Sequence, residues 1–145
     1  MGVKAAVLAV RELGVRSTGM EEVVAIVETN NCFSDGIQFI TGCSFGSNAL
    51  IYRDFGKTAF TLARRSGDGV RISVKADRVL EERSPEATQL FEKVVIKRGG
   101  SEDDKKHLSE LWAKLSFRVL DLPDQEVFDV NRVAVLVEMK TKRDS

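Results

Sequence analysis

The chain has 145 residues, close to the usual size of one domain, and its 22 basic and 22 acidic residues leave it without net charge. That balance argues against broad electrostatic binding of nucleic acid, which needs a basic surface. A composition of 43% hydrophobic and 30% charged residues is that of a soluble globular fold, and no apolar run approaches the ~20 residues of a membrane span. The first residues carry Lys4, Arg11 and Glu12 and lack the apolar core of a signal peptide. Cys32 and Cys43 are too few for a disulfide scaffold. The expectation is a reduced, cytoplasmic protein with neither nucleic acid nor membrane as partner.

Val3, Ala6, Val7, Val10 and Leu13 recur at helical spacing and predict an opening helix that Gly14 would end. The β-branched run Val23 to Val27 suits a strand covered on both faces. After a polar turn from Asn30, Ser34 or Asp35 can cap a short helix, Gly36 to Thr41, ended by Gly42. Ala49 to Arg53 and Thr58 to Arg64 read as strands, with Asp54 to Lys57 as the turn between them. Ser66-Gly67-Asp68-Gly69 reads as a hairpin loop. Beyond it Val70, Ile72 and Val74 alternate with Arg71, Ser73 and Lys75, giving one buried and one wet face.

From Asp77 the pattern turns helical. Ser84-Pro85-Glu86 starts a helix whose apolar side is Leu90, Phe91, Val94 and Val95, and Gly99-Gly100 breaks it. Ser101 with Asp104 opens a second helix in a loose capping box, with Leu108, Leu111, Trp112, Leu115 and Val119 as its stripe and Pro123 as its stop. Val133, Val135 and Val137 suggest a last strand before the charged tail. The sum is an α+β domain, an antiparallel sheet packed against several helices.

The residues able to carry chemistry crowd between Cys32 and Lys57. A thiolate at Cys32, where a strand ends and a helix begins, would be favoured by the helix N-terminus. Cys43 lies between Gly42 and Gly46, where the backbone can come close to a ligand. The short helix between the two cysteines would bring their sulfurs together. Their spacing is not that of a zinc finger, and two buried, apolar-like cysteines are the plainer reading. Asp35, Gln38 and Thr41 fall at i, i+3 and i+6 and can line one side of the helix, although Asp35 is equally a capping residue. Asp54 and Lys57 flank a turn. Asp54-Phe55-Gly56 copies a kinase tripeptide without the motifs that would support it. His107 lies on a charged helical face, and Trp112 belongs to an apolar stripe.

Asn31-Cys32-Phe33-Ser34-Asp35-Gly36-Ile37-Gln38, Thr41-Gly42-Cys43-Ser44-Phe45-Gly46 and Asp54-Phe55-Gly56-Lys57-Thr58-Ala59-Phe60 closely resemble the FmdE family, named for its association with formylmethanofuran dehydrogenase. The likeness runs upstream through Gly2 to Ala6 and Arg11 to Gly14, downstream through Gly69 to Val74, and more faintly through Leu122 to Asp124 and Val127 to Val130. It implies a single α+β core domain over residues 1–145 that self-associates, a homodimer, with a metal-binding cleft around the cysteines. That dehydrogenase is a molybdenum or tungsten enzyme that fixes CO2 onto methanofuran, so methanogenesis-linked one-carbon chemistry and a larger redox complex are implied as context.

Two departures bear on the site. Members carry a motif of roughly His-Gly-His-x-Cys-Pro-Gly ahead of the first helix, and this chain starts after that point. Many also end in a Cys-rich zinc module, and the tail here has no cysteine. The resemblance thus implies a divalent metal, zinc foremost, held by Cys32 and Cys43, in a ligand-binding cleft edged by Asp35, Gln38, Thr41 and Lys57. Zinc takes three or four protein ligands, so water, Asp35 or a second copy of the chain would complete the shell. Two other readings are a thiol-dependent redox or sulfur-transfer enzyme using Cys32, with Lys57 on an anionic substrate, and a site-degenerate domain that only dimerises or docks.

Overall fold

A computed structural model describes residues 1–15 and 23–136. The order of elements is α1 (Gly2–Leu13), β1 (Val23–Val27), α2 (Cys32–Thr41), β2 (Leu50–Tyr52), β3 (Ala59–Arg64), β4 (Asp68–Val74), α3 (Ala76–Glu81), α4 (Pro85–Phe91), a π-helical turn (Glu92–Ile96), α5 (Glu102–Asp121), α6 (Asp124–Val127) and β5 (Phe128–Ala134). The α+β expectation holds. The chain divides into two compact units, Met1–Val74 with the segment from Phe128 onward, and Lys75–Val127.

The first unit is a five-stranded sheet in the order β2-β1-β3-β4-β5. Its pairings are antiparallel except β1 with β2, which run parallel because α2 carries the chain back between them. Val23, Val24, Ala25 and Val27 are buried, as a strand covered on both faces should be. In β4 the sequence alternation holds: Val70 and Ile72 are fully buried, while Arg71 and Ser73 point the other way and stay partly exposed.

Helix α1 ends at Gly14, whose left-handed backbone (φ 69°) suits glycine. Its buried side differs from the predicted valine stripe. Ala5, Ala6, Leu8, Ala9 and Leu13 are buried, whereas Val3 and Val7 face outward. Close packing explains the swap. A Cβ on Gly36 would lie 2.6 Å from the Val3 nitrogen, and one on Gly2 would overlap the Phe33 carbonyl. The backbones of α1 and α2 touch there, so only small residues fit the inner side of α1.

Helix α2 starts four residues earlier than predicted. Asn31 is its cap and accepts from the Phe33 amide at 3.0 Å, while Ser34 donates to the Thr29 carbonyl. Neither Ser34 nor Asp35 caps it. Gly42 ends it as expected, at φ 69°.

In the second unit, Ser84 caps α4 with Pro85 at its first position, and Ser101 with Asp104 forms a full capping box on α5. Phe91 and Trp112 stack at 5.1 Å with the Arg83 guanidinium 4.9 Å from the Trp112 ring centre. Of the predicted stripes, Leu108 and Val119 are buried, but Val95 is outward. The last strand begins at Phe128, earlier than the valine pattern predicts; Val137 lies outside the described residues. Among the described residues no helix is long and apolar enough to cross a membrane.

Candidate thiol site at the end of the parallel strands

Parallel strands β1 and β2 finish at the same end of the sheet, the end where α/β sheets commonly gather ligands. Three segments meet there. The chain leaving β1 passes Glu28 and enters α2 at Cys32. The chain leaving β2 runs through Asp54 to Lys57 before β3 begins. The two segments are tied: the Arg53 amide donates to the Val27 carbonyl, the Lys57 amide to the Glu28 carbonyl, and the Glu28 amide to the Ala59 carbonyl.

Cys32 occupies the first position of α2 and is exposed. The amino group of Met1, at the start of α1, is close enough to feel its charge. Burial pushes that amine below its ordinary value. Asp35, one turn along, and Gln38 are exposed on the same helix.

Cys43 stands apart from this group. It follows the other end of α2, and a helix of this length spans about 15 Å. The thiol is buried, 3.8 Å from the Val23 carbonyl, and burial pushes it above its ordinary value. Thr41 is buried beside it. Its hydroxyl donates to the Ile37 carbonyl at 2.7 Å and accepts from the Cys43 amide at 3.2 Å, so Thr41 ends the helix instead of edging a cleft. The expectation that α2 brings the two sulfurs together fails because the helix is a rod and they sit at its two ends.

These residues do not fit a divalent metal on their own. Among the described residues no three His, Cys, Asp or Glu side chains converge, and zinc takes three or four protein ligands. Cys32 is a single accessible soft donor.

Sequence reading missed the strongest electrostatic feature of this end. Glu28 is 6% exposed and accepts two bonds from Arg71, from Nε at 2.7 Å and from Nη2 at 2.8 Å. The Arg71 guanidinium, with help from the nearby Lys57 ammonium, holds the Glu28 carboxyl below its usual range. The available signal was the acidic residue closing an apolar run and an arginine on the open face of β4. Lys57 therefore belongs with Glu28 and Arg71. On the same loop, Tyr52 donates to Asp54 at 2.9 Å, which raises the phenol. His107 is elsewhere, on α5, paired with Glu86 at 2.7 Å.

The chain is similar to known proteins in sequence and in fold. It is 46% identical over 140 residues to a "Probable S-adenosyl-L-methionine-binding protein" of Archaeoglobus fulgidus, covering 93% of this chain and 38% of that relative. The chain thus spans well under half of that relative's length. Its fold resembles that of an FmdE-like protein of tungsten formylmethanofuran dehydrogenase from Syntrophus aciditrophicus, with a TM-score of 0.58 and 22% identity, over 97% of this chain and 68% of that one. Residues 1–129 match the family described as "FmdE, Molybdenum formylmethanofuran dehydrogenase operon", and the chain belongs to that family.

Proposed function

We propose that the chain is an FmdE-type accessory protein that offers Cys32 as a single soft donor to a divalent metal, zinc foremost, whose remaining ligands come from outside the described residues. The observation that supports this most is the unequal fate of the two cysteines: Cys32 is exposed where α1 and α2 both begin, and Cys43 is buried with its thiol pushed up. A metal ligand must be a thiolate, and the Cys32 position favours one while the Cys43 position opposes it. A second copy of the chain is the simplest source of further donors, so a homodimer is part of the reading. Its setting is the reduced cytoplasm, beside a larger redox enzyme of one-carbon metabolism, in keeping with the family's description.

The test is metal content in wild-type protein purified without a metal column, against Cys32→Ala and Cys43→Ala. The reading expects loss of metal in Cys32→Ala and retention in Cys43→Ala. Equal occupancy in Cys32→Ala would remove that residue from the site. A second reading, binding of S-adenosyl-L-methionine, is favoured by the 46% identity to the archaeal relative. Saturable binding of that compound in equilibrium dialysis would support it, and its absence would assign the ligand to the rest of that longer protein.

A further inference from the structure

We infer that β5 is a self-pairing edge, along which two copies of this chain join antiparallel about a two-fold axis at Val130. The inference rests on the self-association proposed above and names its surface. Among the described residues β5 is the outermost strand, paired to β4 without a bulge from Phe128 to Ala134. The Lys75 amide donates to the Val127 carbonyl and the Val135 amide to the Gly67 carbonyl. These two bonds set the phase of the ladder: odd-numbered residues of β5 bond to β4, and the amide groups of Val130 and Arg132 project from the open edge.

The opposite edge, β2, is only three residues long, a common way of blunting an edge. The seven residues of β5 contain no proline, glycine or lysine. Its one basic side chain, Arg132, is turned away, donating to the Glu12 carbonyl of α1 at 2.5 Å. Val130 is left 41% exposed.

A second copy fits this edge because the strand complements itself. With the axis at Val130, the outward hydrogen-bonding residues face one another: Val130 meets Val130, and Phe128 meets Arg132. Between them Asp129 meets Asn131. No like charges stand opposite, and two valines close the centre. Moving the axis to Arg132 would set two guanidinium-bearing residues face to face. The pairing is isologous and closes as a dimer.

The test uses the whole chain with Cys32→Ser, so that no native exposed thiol interferes. Residues opposite in a hydrogen-bonded pair lie about 5.5 Å apart at Cα, within the span of a disulfide. Val130→Cys should therefore cross-link into dimers under mild oxidation at least tenfold faster than Ser66→Cys, an exposed control in the β3–β4 turn. Val130→Pro removes an outward amide but no bond of the β4–β5 ladder, so light scattering should give half the wild-type mass with an unchanged circular dichroism spectrum. A wild-type chain that stays monomeric overturns this interface and self-association together. A wild-type dimer whose Val130→Cys cross-links no faster than Ser66→Cys overturns the interface alone; should Val130→Pro fail to fold, the cross-linking result decides.

Discussion

Gly2 and Gly36 face each other where α1 crosses α2, so close that a side chain on Gly36 would begin 2.6 Å from the Val3 nitrogen. The contact is backbone on backbone and cannot yield by rotating a side chain. It also fixes where Cys32 sits, since both helices begin at this crossing. Gly36→Ala should lower stability by about 1–3 kcal/mol, the usual cost of overpacking. Thermal unfolding measures this; an unchanged midpoint would mean the helices are free to separate.

The position of the α2 cap separates the prediction from the structure. Asn31→Ala should cost about 1 kcal/mol, the ordinary value of a side-chain cap. Asp35→Ala should cost less, because Asp35 lies inside the first turn and caps nothing. Urea unfolding of the two variants gives the ordering, and the reverse order would restore the later start of the helix.

How much of this was legible in the sequence depended on whether the signal was local. Gly14 and Gly42 as helix ends, the Val70-Ile72-Val74 alternation and the Ser101–Asp104 box were readable because each is settled within a few residues. The buried side of α1 was not, because the decision between its valines and its alanines is made by Gly36 on another helix. The Glu28–Arg71 pair was hidden for the same reason, since it joins residues 43 apart. The motifs around Cys32 revealed the family, but only the length and burial of α2 parted its two cysteines.

That ion pair makes a pH prediction. The Glu28 carboxyl is held below its usual range when folded, so the pair stabilises the fold above the unfolded carboxylate value of about 4.3. The contribution fades as pH falls through the lower folded value. Glu28→Gln should cost about 2–4 kcal/mol near neutral pH, somewhat under the usual cost of breaking a fully buried pair because Arg71 is 27% exposed. The gap between wild type and variant should narrow in acid. A gap that stays constant from neutral pH to about pH 3 would show that the carboxylate's charge plays no part.

The two thiols should differ in reach. In folded protein an aromatic disulfide reagent should modify Cys32 promptly and Cys43 only on unfolding, so one thiol is counted in buffer and two in denaturant. Two fast thiols in buffer would mean that the end of α2 at Thr41 opens readily.

The central claim is that Cys32 alone of the two cysteines serves a metal. Elemental mass spectrometry on reduced wild-type protein and on the two alanine variants, none exposed to a metal column, tests it most directly. The account predicts bound divalent metal in wild type and in Cys43→Ala, and its loss in Cys32→Ala. Metal retained in Cys32→Ala, or absent from wild type, would contradict it.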